Sequence, residues 1–161
     1  MSGPLLELRN VCKRFGRYDV LKDLNLSVGK GEIVGLLGPN GSGKTTTLRI
    51  ATGYAWSDKG QVLISGRSVF PNAPLSRIPV GYLPEKVPLY DPFRVSEYLH
   101  FLASVRGFRG QRAKDAVQRV LYAFNLSAVE GRLIGHLSKG FRQRIGLAQA
   151  LLSQPKILLL D

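Results

Sequence analysis

The sequence has few of the residues that build disulfides and thiolate or imidazole metal centres. Among 161 residues there is one cysteine, Cys12, and there are two histidines, His100 and His136, which stand far apart along the chain. A single cysteine cannot form an intramolecular disulfide, and none of the three residues has a neighbour at metal-ligand spacing. This composition points to the cytosol and argues against a metal site of the cysteine and histidine kind.

Long apolar runs are missing as well. No run approaches the roughly 18 residues that a membrane-spanning helix needs. The first ten residues, MSGPLLELRN, lack the basic start and the apolar stretch of a signal peptide. We therefore expect a protein that is neither exported nor embedded in a bilayer by itself. Its 44% hydrophobic residues agree with one globular domain that has a real core.

Acidic residues are scarce. The chain has 11 Asp and Glu residues and 23 Lys and Arg residues, which gives a net charge of +12. Such a charge raises the question of a nucleic-acid or anionic-membrane partner. The basic residues are scattered, however, with local clusters only at 106–114 and 139–144, and no aromatic residues are interleaved at a spacing that suits base stacking. We therefore expect nucleic acid not to be a partner.

The most informative stretch that is present is GPNGSGKT, residues 38–45, which fits the pattern GxxxxGK[ST] of a phosphate-binding loop. The flanking residues predict a short buried strand over 33–37 before it and a helix over 46–52 after it. In such a loop Lys44 reaches the β and γ phosphates, and the Thr45 hydroxyl ligates Mg²⁺. The alternative is a glycine-rich turn beside a surface lysine. The candidate nucleotide-binding residues here are Gly38, Pro39, Asn40, Gly41, Ser42, Gly43, Lys44, Thr45 and Thr46.

The rest of the chain predicts an α/β protein. Strands are expected at 5–15, 21–28, 61–65, 80–83 and 156–161, with a proline-punctuated loop at 71–79. Apolar residues at helical spacing predict two helices within 86–136. The first carries Val95, Tyr98, Leu99, Leu102 and Val105 on one face, and the second carries Ala113, Ala116, Val117, Val120, Leu121 and Phe124. A last helix is expected from about 141 to 152, with Ser138 as its N-cap and Ile145, Ala148, Leu151 and Leu152 facing inward.

A phosphate loop alone leaves kinases, GTPases and several kinds of ATPase open, but three further motifs narrow the choice. LSKGF at 137–141 precedes the last helix, ILLLD at 157–161 ends on Asp161, and GYLPE at 81–85 lies between the loop and the helical segment. With Phe15 some thirty residues before Lys44, the chain resembles the nucleotide-binding domain of an ATP-binding cassette (ABC) protein from about Leu5 to Asp161. The GYLPE and LSKGFRQR forms resemble those of bacterial export-type ABC ATPases.

The resemblance implies a fold and a set of roles. The fold is a P-loop NTPase core with an N-terminal β-rich subdomain and an inserted helical subdomain, here one incomplete domain in which 1–85 and 137–161 form the core and 86–136 the helical part. Phe15 is expected to stack on adenine, unless it packs in the core. Asp161 is expected to hold the Mg²⁺ shell through water, unless it is a carboxylate in solvent.

The same resemblance assigns roles to the two remaining motifs. Ser138 and Gly140 are expected to meet the γ-phosphate of ATP bound by a partner, and helix capping by Ser138 can hold alongside that role. Glu85 stands where the family has a glutamine that reaches Mg²⁺ and the attacking water. It is therefore the catalytic and metal candidate there, and a solvated loop carboxylate is the alternative. Lys139 and Phe141 replace the Gly and Gln of the LSGGQ motif.

The implied partners are a second nucleotide-binding domain and an integral membrane permease, with the protein on the cytoplasmic face of the cell membrane. Because the family's catalytic glutamate follows the residue at position 161, we expect the chain to be the N-terminal part of a larger ATPase that binds ATP weakly and hydrolyses it poorly by itself. Two other hypotheses stay open: an ABC ATPase that acts on ribosomes or nucleic acid, and a phosphotransferase.

Overall fold

A computed structural model describes residues 3–69 and 80–161, so the proline-punctuated loop expected at 71–79 lies outside the described residues. The described residues divide into two compact units. Residues 3–69 together with Asp161 belong to the first unit, and residues 80–160 belong to the second. The interpretation as one incomplete domain with a helical part at 86–136 stays a prediction.

The first unit is built on an antiparallel sheet. It contains β1 (Leu6–Phe15), β2 (Tyr18–Val28), β3 (Lys59–Ile64) and β4 (Arg67–Ser68), in the order β2-β1-β3-β4. The predicted strands at 5–15, 21–28 and 61–65 are thereby confirmed. The central strand β1 alternates buried and exposed side chains, and its Leu6, Leu8 and Val11 are at most 2% exposed. A face with this alternation packs on a core while the other face meets solvent.

Helix α1 (Lys44–Ala51) begins inside the glycine-rich stretch and confirms the helix predicted there. Gly43 precedes it in the left-handed conformation, with φ of 89°. A Cβ at this position would lie 2.7 Å from Leu21 Cδ2 and 3.0 Å from the Val20 carbonyl oxygen, so the loop passes directly against β2. Only glycine combines this backbone conformation with so close an approach.

The strand predicted over 33–37 is wrong. In the described residues this segment belongs to neither sheet, and the side chains of Ile33 and Leu37 are 99% and 96% exposed. A strand exists only through its hydrogen-bonded neighbours, and within 3–69 and 80–161 no strand pairs with this apolar run. The apolar composition is therefore typical of a buried strand, but in the described structure the segment joins no sheet.

The second unit combines a parallel strand pair with helices. Its elements are β5 (Val80–Leu83), α2 (Val95–Val105), α3 (Gly110–Ala123), α4 (Lys139–Leu151) and β6 (Ile157–Leu160), with short 3₁₀ turns at Ser127–Val129 and Ile134–His136. β5 and β6 run parallel, with Val80 opposite Ile157 and Leu83 opposite Leu160. Parallel pairing requires a long crossover, and the helices lie in that crossover.

The helical core confirms most of the predicted inward faces. The buried side chains come from all three helices and the turns between them: Val95, Tyr98, Leu99, Ala103, Ala116, Val117, Val120, Leu121, Leu126, Val129, Ile134, Leu137, Ile145, Ala148 and Leu152. Val105 was expected on this face and is 60% exposed. It is the last residue of α2, and the chain turns away at Gly107, where φ is 83°.

Candidate nucleotide-binding site

The phosphate loop is shaped by its glycines. Gly41 and Gly43 have φ of 82° and 89°, values that residues with a side chain rarely adopt. The Ser42 amide donates to the Pro39 carbonyl oxygen at 3.2 Å and tightens the turn. Because Gly43, the N-cap of α1, has no side chain, no side-chain oxygen of the cap residue accepts from the first N–H groups of the helix. Together with the positive end of the helix dipole, these donors form a site that favours an anion.

Lys44 adds a full positive charge at the same place. Its Nζ donates to the carbonyl oxygens of Gly38 and Pro39, both at 2.8 Å, so the ammonium lies against the loop. An ammonium with three donors can contact the loop carbonyls and phosphate oxygens together. The predicted role of Lys44 fits this position.

Thr45 and Asp161 are 116 residues apart in the chain and lie together in the first unit. The Thr45 Oγ1 hydroxyl donates to Asp161 Oδ1 at 2.8 Å. Hydroxyl and carboxylate oxygens are ligands that Mg²⁺ prefers, and a magnesium site usually takes only one or two protein oxygens and fills the rest with phosphate and water. The donor set therefore fits Mg²⁺. In residues 3–69 and 80–161 no group of three His, Cys, Asp or Glu side chains gathers as a metal cluster.

Phe15 ends β1 at the tight turn that leads into β2, where Gly16 has φ of 58° and Tyr18 pairs with Phe15. Phe15 is 53% exposed, so it is not a core residue, and the core-packing alternative is wrong. The ammonium of Lys13 lies 5.3 Å from the centre of its ring. An exposed aromatic ring of this kind is available for stacking.

Ser138 and Gly140 stand at the start of α4. The Ser138 Oγ accepts from the Phe141 amide at 3.5 Å, which confirms Ser138 as the N-cap. Gly140 is exposed, and among the described residues a Cβ there would come within 4 Å of Ser138 Oγ alone, at 4.0 Å. The guanidinium of Arg142 donates to Asp91 Oδ1 at 2.6 Å and to the Ile134 carbonyl oxygen at 3.2 Å, which ties the first turn of α4 to the preceding turns.

Glu85 follows β5 in a bend and is exposed. It belongs to the second unit together with Ser138 and Gly140, whereas Phe15, the phosphate loop and Asp161 belong to the first unit. The structure thus joins Lys44, Thr45 and Asp161 within one unit. The contributions of Glu85, Ser138 and Gly140 to a nucleotide site stay predictions.

Asp58 is a residue near the site that sequence reasoning missed. Its carboxylate accepts from Lys13 Nζ at 2.7 Å and from the Arg14 amide at 2.6 Å, directly beside Phe15 in the chain. The hydrogen bond from Lys13, followed by that from the Arg14 amide, holds the pKa of Asp58 below its usual range. Only the pairing of β1 with β3, in which Cys12 lies opposite Lys59, brings these residues together, so no local pattern indicates the contact.

The phosphate loop at the start of a helix, with a strand-ending aspartate hydrogen-bonded to its threonine, defines a P-loop nucleotide-binding protein. Residues 21–161 match the family model described as ABC transporter, so the chain belongs to the ABC transporter family. Of the helices in the described ranges, none has both the length and the apolar character that a bilayer crossing demands.

Relatives in this family include proteins of different named functions. The chain is 35% identical over 157 residues to the probable multidrug ABC transporter ATP-binding protein YbhF of Escherichia coli K12, covering 98% of this chain and 27% of that protein. It is 37% identical to the spermidine/putrescine import ATP-binding protein PotA of Clostridium novyi, covering 100% of this chain and 46% of that protein. The chain therefore spans between about a quarter and a half of these curated relatives.

Two solved structures of ATP-binding proteins of ABC transporters resemble the fold of this chain. The ATP-binding subunit of an ABC transporter superposes with a TM-score of 0.84 at 28% identity, covering 98% of this chain and 65% of that one. A nucleotide-free ATP-binding cassette from an ABC transporter has a TM-score of 0.81 at 24% identity and supports the fold alone. The predicted fold class, a P-loop NTPase core of α/β type, is confirmed.

Proposed function

We propose that this chain forms part of the ATP-binding subunit of an ABC transporter and binds ATP with Mg²⁺ through residues 38–46. The observation that carries the proposal is the group of Lys44, Thr45 and Asp161, which sets an ammonium, a hydroxyl and a carboxylate around the start of α1. A triphosphate needs the positive groups, and Mg²⁺ needs the oxygens. Phe15 adds an exposed ring for the adenine base.

The chemistry of such a site is positioning and charge stabilisation. Bound Mg²⁺ would neutralise charge on the β and γ phosphates. The loop amides and Lys44 would hold the triphosphate, and Asp161 would act on the metal shell through water while it orients the Thr45 hydroxyl. Glu85 is proposed as a further metal ligand, since a carboxylate can replace a glutamine oxygen at a hard cation. We propose ATP hydrolysis as the activity of the protein as a whole, since the family's ATP-binding subunits are ATPases.

The proposed partners follow from the family. A second nucleotide-binding domain would present its own Ser138 and Gly140 to the γ-phosphate, and nucleotide would thus favour a closed dimer over an open one because the closed state makes contacts that the open one lacks. Closure would act on an integral membrane permease, with the ATPase on the cytoplasmic face of the membrane. The relatives include an importer and a probable multidrug transporter, so the export direction stays a prediction.

The test is nucleotide binding by the full-length protein with and without Lys44. Lys44→Ala should weaken binding of Mg·ATP about tenfold or more, because it removes charge-assisted hydrogen bonds to phosphate. Isothermal titration calorimetry measures the change. The matched control is Lys30→Ala, which removes an exposed lysine outside the loop and should leave binding unchanged. Equal ATP affinity of wild type and Lys44→Ala would overturn the proposed function.

A further inference from the structure

Lys13 takes no part in the phosphate loop, yet its side chain lies over the ring of Phe15, the residue proposed to stack on adenine. It is only 15% exposed, which is unusual for a lysine, and its ammonium is placed by two contacts. Nζ lies 2.7 Å from Asp58 Oδ1 and 5.3 Å from the centre of the Phe15 ring. The ring and the carboxylate therefore share one ammonium.

Asp58 is itself held firmly to the end of β1. Its amide donates to the Cys12 carbonyl oxygen at 2.9 Å, and its second carboxylate oxygen accepts from the Arg14 amide at 2.6 Å. These contacts involve the residues that immediately precede Phe15. Asp58 thus fixes the strand end and, through Lys13, the cation over the ring.

An ammonium over an aromatic ring is attracted by the electron-rich face. At the exposed turn that ends β1, an unsupported ring would be free to change rotamer and would lose conformational entropy on stacking. A cation that holds the ring in one place lowers that loss, while the exposed part of the ring stays open to a planar base.

We propose that Lys13 and Asp58 are positioning residues for the adenine base of ATP, acting through the ring of Phe15. Lys13 holds the ring by its ammonium, and Asp58 holds Lys13 and the strand end. This inference rests on the proposed function, because it presupposes that Phe15 stacks on a nucleotide base. This role differs from that of a merely stabilising ion pair in one measurable respect. Loss of Lys13 or Asp58 should weaken binding of a ligand that carries the adenine base and should not change binding of the phosphates alone.

The experiment compares two ligands in the full-length protein, Mg·ATP and Mg·tripolyphosphate, by isothermal titration calorimetry. The ratio of the tripolyphosphate Kd to the ATP Kd reports the contribution of the adenosine part. Lys13→Met and Asp58→Asn should lower this ratio about two- to fivefold, the range of an exposed cation–π contact, with the tripolyphosphate Kd unchanged. Lys13→Arg should keep the ratio, because a guanidinium also interacts with the ring face. Phe15→Ala removes the ring, so its ratio is the reference value for complete loss of stacking.

The matched control lies in the same hairpin. Asp19 accepts from Arg14 Nε at 2.6 Å in an exposed ion pair that does not involve the ring, so Asp19→Asn should leave the ratio at the wild-type value. Should Asp58→Asn fail to fold, Lys13→Met still decides, since an unbranched methionine can keep much of the packing of the Lys13 side chain while it removes the ammonium.

The inference is overturned if Lys13→Met keeps the wild-type ratio, if it weakens both ligands equally, or if Phe15→Ala leaves the ratio unchanged. Failure of the proposed function has a different signature: the wild type then binds neither ligand, or Lys44→Ala binds tripolyphosphate as tightly as wild type does.

Discussion

Asp58 connects the stability of the chain to pH. Since hydrogen bonds from Lys13 and the Arg14 amide lower the pKa of its carboxyl in the folded state, the ionised form is favoured by folding. Its contribution to the free energy of unfolding is present above the usual aspartate pKa and is lost as the pH falls through the lowered pKa of the folded state. Asp58→Asn should therefore unfold more easily than wild type at neutral pH, and the difference should shrink in acid. Urea unfolding at a series of pH values measures it.

Salt supplies the control for this prediction. The Asp58 side chain is 46% exposed in this ion pair, so high ionic strength should reduce the difference between wild type and Asp58→Asn at neutral pH. A difference that stays constant from neutral to acid pH would contradict the role assigned to the charge and would leave only the loss of a neutral hydrogen bond.

At the residue scale, the sequence predicts contacts that a motif encodes and misses those that only tertiary pairing creates. The phosphate-loop positions of Lys44 and Thr45 could be proposed from the sequence because both residues lie a fixed, short distance along the chain from the glycines of the loop. The role of Asp161 could be proposed because an apolar run that ends on a carboxylate is a recognisable pattern. Lys13 and Asp58 are 45 residues apart, and neither belongs to a motif of its own. Their contact depends on the register of β1 with β3.

At the scale of elements, periodicity predicts helices well because each helix buries one face. α2, α3 and α4 lie where apolar residues recur at helical spacing, and most of their inward residues are buried. The segment 33–37 shows the limit of this reasoning. Its apolar run has the composition of a buried strand, but a strand also needs neighbours, and composition does not report whether they are present.

Gly81 carries a prediction about how β5 packs. A Cβ at this position would lie 2.5 Å from the Ala150 carbonyl oxygen of α4 and 2.8 Å from Pro155 Cγ. Because the nearest atom is backbone, it cannot turn aside as a side chain does. Gly81→Ala should therefore lower the free energy of unfolding by about 1–3 kcal/mol, as overpacking does in other cores. Urea unfolding of the full-length protein measures this change.

Gly131 is the matched control for Gly81. A Cβ there would meet no heavy atom of the described residues within 4 Å, so Gly131→Ala should change the free energy of unfolding by about 0.5 kcal/mol or less. Equal effects of the two substitutions would show that the close approach of α4 to β5 is not what makes glycine necessary at position 81.

At the scale of the whole molecule, the candidate site residues are shared between two units. Lys44, Thr45 and Asp161 belong to the first unit, while Ser138 belongs to the second. The proposed function places Ser138 at the γ-phosphate of ATP bound by a partner. Its observed role is to cap α4. A substitution that keeps the cap but adds a negative charge distinguishes the two roles.

Ser138→Asp should separate them. Asp and Ser are comparable N-caps, so α4 should keep its stability, but a carboxylate would repel the γ-phosphate of the partner's nucleotide. We expect dimerisation of the full-length protein, with Mg²⁺ and a non-hydrolysable ATP analogue, to weaken by about tenfold or more. Analytical ultracentrifugation measures it. Ser138→Asn, which caps without charge, is the control and should dimerise more strongly than Ser138→Asp. Equal dimerisation of the two variants would rule out the phosphate contact and leave Ser138 as a helix cap.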